Sequence, residues 1–196
     1  IPASAFTYGL VHADRYLVVH PVNPPYLVPV VELVPSPSTS DKTVHRTWTL
    51  MEQVGQAPVH VRGAPQGFIL NRLQGALLRE AWALFEEGHA STADIDKTVS
   101  QGLGLRWSFM GPFETIDLNA PGGVRDYATR LGGLYLDIAR DRTDPQRWGE
   151  DLVARVETDR RGHLPEKDLQ SRRLWRDRRL MALAAHKAAA EKKDGT

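Results

Sequence analysis

His20 ends a short apolar, β-branched run, Tyr16-Leu17-Val18-Val19, and Glu32 lies twelve residues on inside a second, Val30-Val31-Glu32-Leu33-Val34. A carboxylate in an apolar strand is costly to bury without a partner, and an imidazole across the intervening turn is a natural one. The carboxylate accepts the proton on one ring nitrogen, which fixes the tautomer and raises the basicity of the other. That chemistry is proton abstraction by a general base. A histidine at this strand end would project from the carboxyl edge of an open α/β sheet, where such sheets bind ligands. His20-Pro21-Val22-Asn23-Pro24-Pro25 adds Asn23 and a stiff backbone beside it. Composition alone leaves a second reading open, a structural histidine and a solvent-facing glutamate on an edge strand. Asn71, in otherwise apolar company after Gly67-Phe68-Ile69-Leu70, is a poor interior helix residue. It is therefore either exposed or held for its hydrogen bonds.

Other chemistries find less support. The seven histidines are scattered without a His-x-x-x-His step and there is no cysteine, so no metal site is expected. No Gly-x-Ser-x-Gly elbow is present. Gly102-Leu103-Gly104 is the one Gly-x-Gly, but Trp107 stands where a third small residue is needed and a helix precedes it. It fails as a dinucleotide fingerprint and reads as a helix ending and turn.

The chain has 25 Lys+Arg against 24 Asp+Glu, a net charge of +1, which argues against nucleic acid as a partner. No apolar run approaches the ~18–20 residues that cross a bilayer, so no membrane partner is expected. Absent cysteines rule out a disulfide scaffold, and the cytosol is the expected location. The first residue is Ile1 rather than Met, and Ile1-Pro2-Ala3-Ser4-Ala5-Phe6 lacks a basic n-region. We read the chain as a fragment of a longer protein.

The elements that must position these residues follow from pattern. Strands are expected at Tyr16–His20, Val30–Val34 and Pro58–Arg62, with prolines at 21, 24, 25, 29 and 35 excluding helix between the first two. Asp41 to Val54 predicts a helix, with Ser40 as N-cap and Gly55 at its end. From residue 66, Phe68, Ile69, Leu73, Leu77, Ala81, Leu84 and Phe85 make one apolar stripe on a helix of about 20 residues that Gly88 ends. Ser91-Thr92-Ala93-Asp94 resembles a capping box opening a short helix closed by Gly102. Pro112 opens another, a further helix spans Val124–Ala139, and Asp144-Pro145 marks a turn. Residues 151–196 carry +4 against −3 for residues 1–150. A basic helix is expected from Pro165 to Ala190, either a solvated subunit-packing helix or a surface for an anionic partner. The last residues read as a frayed tail.

The ordered blocks Gly9-Leu10-Val11-His12, His20-Pro21-Val22-Asn23-Pro24-Pro25-Tyr26, Val31-Glu32-Leu33-Val34 and Gly67 to Gln74 resemble the 3-hydroxyacyl-CoA dehydrogenase superfamily. Glu80-Ala81-Trp82, Glu86-Glu87-Gly88, Asp94-Ile95-Asp96, Gly111-Pro112-Phe113-Glu114-Thr115 and Trp175-Arg176-Asp177 extend the likeness. Within that superfamily it is most similar to the lambda-crystallin/L-gulonate 3-dehydrogenase branch. The resemblance implies an α+β, mainly α fold: the C-terminal strands of a truncated Rossmann sheet followed by an all-α 6-phosphogluconate-dehydrogenase-like C-terminal domain. Residues 1–64 would be the remnant of the NAD-binding domain, 65–190 the helical substrate and dimerisation domain, and 191–196 a disordered tail.

Carried over by position, His20 resembles the catalytic base, Glu32 its carboxylate partner, Asn71 the amide near the reacting oxygen, and Asn23 the asparagine of the family's histidine motif. The implied activity is NAD-dependent oxidation of the 3-hydroxy group of an L-gulonate-like hydroxy acid. The alternative is a 3-hydroxyacyl-CoA dehydrogenase of fatty-acid metabolism. Arg106, in Arg106-Trp107-Ser108-Phe109-Met110 before the Gly-Pro-Phe-Glu block, could pair bidentately with a substrate carboxylate or simply suit a helix end. The family's glycine-rich fingerprint and active-site serine have no counterpart here. NAD would therefore be bound mainly by a domain absent from this chain, and the 196 residues alone are expected to be inactive. A homodimer through the helical domain is implied, and a non-catalytic helical dimerisation module is the reading from another class.

Overall fold

Pro29 and Pro35 bound a β-branched run whose burial on both faces makes it the centre of a small sheet. In the computed structural model, which describes residues 1–142 and 147–194, three strands form this sheet: β1 (Leu17–Pro21), β2 (Val30–Pro35) and β3 (Ala57–His60). Their order is β1-β2-β3, β1 antiparallel and β3 parallel to β2. The parallel pair is joined by helix α2 (Asp41–Gln53), which packs on both strands. Ser40 caps it, its side chain accepting from the Thr43 amide, and Gly55 follows with φ 78°. Among the described residues, Val31, Leu33, Val34 and Val61 are the largest fully buried apolar side chains.

The chain divides into two units, residues 1–79 with 167–196 and residues 80–166. The first also holds a single turn, α1 (Ser4–Thr7), the start of α3 (Leu70–Glu86) and α9 (Leu169–Asp194). Tyr26, in the loop after β1, donates from its hydroxyl to Asp177 of α9 at 3.1 Å. The Trp175 ring has the Arg172 guanidinium 3.5 Å from its centroid. Leu174 and Met181 of the same helix are more than half exposed.

In the second unit, α4 (Thr92–Thr98), α5 (Gly104–Trp107), α6 (Pro112–Asn119), α7 (Gly123–Arg140) and α8 (Glu150–His163) follow the end of α3. Ser91 caps α4 by accepting from the Asp94 amide. Thr92 ties α4 to α8: its amide and hydroxyl donate to Asp159 at 3.0 and 2.5 Å. Those bonds hold the Asp159 carboxyl below the usual carboxylate range. Arg142 grips Glu80 and Glu87, and Trp82 stacks on Trp148 at 4.4 Å.

Several elements differ from their sequence reading. Phe68 and Ile69 do not begin α3, because Gly67 and Phe68 both take positive φ and form a corner before Leu70. Gly102 does not close α4. The chain passes through one π-turn, Val99–Leu103, straight into α5, with the Gly104 amide bonded to the Val99 carbonyl. A Cβ at Gly104 would stand 3.0 Å from that carbonyl oxygen, so the bare backbone lets the wide turn close. The basic helix starts at Leu169 rather than Pro165, and it runs past Ala190 through Lys192 and Lys193 to Asp194. The turn expected at Asp144-Pro145 lies outside the described residues. Among the described residues no helix is long and apolar enough to cross a membrane, and no group of three His, Asp or Glu residues could hold a metal ion.

Candidate active site

Antiparallel pairing places His20 of β1 directly opposite Glu32 of β2, so the two side chains share one face of the sheet. His20 Nδ1 lies 2.7 Å from Glu32 Oε2. Glu32 is 1% exposed and sits on the central strand; it is not the solvent-facing edge glutamate that composition left open. His20 keeps 32% of its side chain exposed, and its Nε2 has no partner among the described residues.

The other carboxylate oxygen is used as well. Glu32 Oε1 accepts from the backbone amides of Ile69 and Leu70 at 2.8 and 3.0 Å. These are the opening N–H groups of α3, which no residue of the preceding Pro65-Gln66-Gly67-Phe68 segment caps. A strand carboxylate thus serves as the cap of a helix, and the positive helix end favours its charge. Burial pushes the Glu32 carboxyl up, but the Leu70 amide, His20 and the Ile69 amide outweigh it and hold it below the usual carboxylate range. An ionised Glu32 is acceptor only. Neutral His20 therefore carries its hydrogen on Nδ1 and presents a bare Nε2.

Asn71 falls in the first turn of α3, next to the amides that Glu32 takes. It is exposed and its side chain has no partner among the described residues. Asn23 is exposed two residues beyond β1, joined to Pro24 by a cis peptide bond. Arg106 is exposed on α5, which belongs to the second unit. There its charge acts on Tyr127, whose hydroxyl is 2.7 Å from that of Tyr135. The first unit thus brings together His20 and Glu32 with the start of α3, and Arg106 is not part of that unit.

Two participants escaped the sequence reading. One is the pair of α3 amides; the signal available was a helix start without a capping residue and a strand carboxylate without a partner. The other is Phe68, whose ring meets His20 edge-on at 5.4 Å and 67°. Nothing in the sequence signalled that contact.

A family model described as the 3-hydroxyacyl-CoA dehydrogenase NAD binding domain matches residues 1–64, and the model of that enzyme's C-terminal domain matches residues 67–162. The chain is 42% identical over 199 residues to a lambda-crystallin homolog of Homo sapiens, covering 97% of this chain and 60% of that protein. To an L-carnitine dehydrogenase of Pseudomonas putida it is 42% identical over 130 residues, 66% of this chain and 40% of that one. Among solved structures, an NAD+-dependent 5-formyl-3-hydroxy-2-methylpyridine 4-carboxylic acid 5-dehydrogenase superposes with a TM-score of 0.77 at 25% identity, over 94% of this chain and 60% of that one. The chain thus spans about 60% of the length of the human relative.

Proposed function

Because the chain belongs to the 3-hydroxyacyl-CoA dehydrogenase family, matched by its NAD-binding and C-terminal domain models over residues 1–64 and 67–162, we propose that the full protein oxidises a secondary alcohol with His20 as general base. The observation that carries this reading is the 2.7 Å contact between His20 Nδ1 and the buried Glu32 carboxylate. Bare Nε2 takes the hydroxyl proton of a 3-hydroxy substrate, and Glu32 stabilises the imidazolium that forms. Asn71 donates its side-chain amide to the developing carbonyl oxygen, and Asn23 holds the turn beside the base.

NAD, when bound, accepts the hydride. A dinucleotide pyrophosphate needs a glycine-rich strand-to-helix turn. The β2–α2 turn, Ser36-Pro37-Ser38-Thr39-Ser40, carries no glycine, so no binding step is assigned to these residues. We expect no NAD binding by the 196-residue chain alone. Calorimetric titration tests this, and micromolar affinity overturns it.

A free hydroxy acid of the L-gulonate kind is the proposed substrate class. A relative named L-carnitine dehydrogenase supports a free hydroxy acid, and one named 3-hydroxyacyl-CoA dehydrogenase supports the alternative, a thioester. Comparing turnover of L-gulonate with that of 3-hydroxybutyryl-CoA by the full-length protein tests the class; a preference for the thioester overturns it. A homodimer through the helical domain is also proposed, supported by the exposed Phe113, Leu118, Leu134 and Leu136. Light scattering that finds a monomer discards it. His20→Ala in the full-length protein should lower kcat by about 10²–10⁴-fold with little change in NAD affinity. A near-normal kcat sinks the base assignment.

A further inference from the structure

The corner between β3 and α3 reaches both members of the pair. Gly67 and Phe68 take φ of 80° and 52°, a region glycine enters freely and a phenylalanine rarely does. Such a conformation persists only where the surroundings hold it. Here the Phe68 ring is 8% exposed and packs with Val34 and Val61, with Val18 and Ala64 at the margin. Register explains what lies beneath it. Val18 pairs with Val34 and His20 with Glu32, so these four residues share the sheet face that Phe68 covers. The ring edge meets the His20 imidazole at 5.4 Å, and the next two amides along the chain are those that donate to Glu32.

We propose that Phe68 is a positioning residue for His20 and Glu32, its ring fixing the imidazole plane and its left-handed backbone presenting two amides to the carboxylate. This rests on the general-base reading above. The ring blocks rotation of the imidazole away from Glu32, and the amides keep the carboxylate from turning away from the imidazole. The Nδ1–H tautomer is thereby held before any substrate arrives, which is preorganisation in the ordinary catalytic sense. A ring that only fills the core has no such consequence, and a leucine of similar size would serve it nearly as well.

The test is nitrogen NMR of the His20 imidazole in this chain, since its shifts separate Nδ1–H from Nε2–H directly. The wild type should show a single Nδ1–H tautomer and a through-space contact between the His20 and Phe68 ring protons. Phe68→Leu should give a mixture of tautomers and, in the full-length protein, a loss in kcat of about 10²-fold; Phe68→Tyr should restore both. Phe68→Gly keeps the corner without the ring, so the Ile69 and Leu70 amides should stay protected from exchange while the tautomer mixes. Val61→Ala, taken from the same cluster, should weaken the fold and leave the tautomer alone. A Phe68→Leu chain with an unchanged tautomer and kcat overturns the proposal. So does a wild type lacking the ring-to-ring contact, a result that needs no variant to fold. If instead His20→Ala retains full kcat, the base reading fails, and the tautomer data still judge Phe68.

Discussion

Glu32 in the first unit and Arg142 in the second each bind more than one partner, yet they stand in opposite surroundings. Glu32 is 1% exposed and gives one oxygen to His20 and the other to two backbone amides. Arg142 is 31% exposed and spreads its guanidinium over Glu80 and Glu87 at 3.0–3.2 Å. Removing water makes every unmet charge expensive, so the first unit fixes one geometry and punishes any change. Solvent screens the second arrangement, so each of its pairs contributes less. The apolar surface divides the same way. Val31, Leu33 and Val34 are enclosed, whereas Leu105, Phe109, Phe113 and Leu118 are more than 60% exposed.

The contrast breaks most visibly at Glu32. Glu32→Ala strands two helix amides and one imidazole, and should cost about 3–5 kcal/mol in urea unfolding. Exchange protection should fall first at Ile69 and Leu70. The depressed carboxyl adds a pH signature. Its ionised contacts contribute fully above about pH 4.3, the unfolded value, and are lost as the pH falls through the lower folded value. The wild type should therefore weaken on that acid limb, and Glu32→Gln should flatten it.

Gly67→Ala tests the corner alone. A Cβ there meets Asn71 and Arg72 only at ordinary contact distances of 3.5–3.6 Å, so the cost is backbone strain, about 1–2 kcal/mol. Helix caps should behave alike in both units: Ser40→Ala and Ser91→Ala should each cost about 1 kcal/mol, read by thermal melting. Arg142→Met should give the smallest change, and 1 M salt should erase it. A salt-resistant loss there would mean that the second unit, too, relies on a fixed charge.

Much of this was readable from local pattern. Ser40 before Asp41, Ser91 before Asp94 and Pro112 at a helix start each act within one turn, so neighbouring residues suffice to reveal them. The π-turn at Val99–Leu103 escaped because Gly102 and Gly104 look like a helix end until the backbone around them is seen. The helical run through Lys192 and Lys193 escaped because a charged terminal segment reads as frayed. Asn71 remained open between exposure and bonding, and the fold leaves it exposed.

Residue types and spacing determined that a histidine ends one apolar run and a glutamate sits inside the next, with prolines excluding helix between them. The register that sets them face to face is a property of paired backbones. The two amides that hold Glu32 and the ring that meets His20 come from a corner 37 residues further along the chain. Only tertiary structure decides such contacts, because a buried charge is satisfied by whatever donors the fold brings to it, wherever in the sequence they lie.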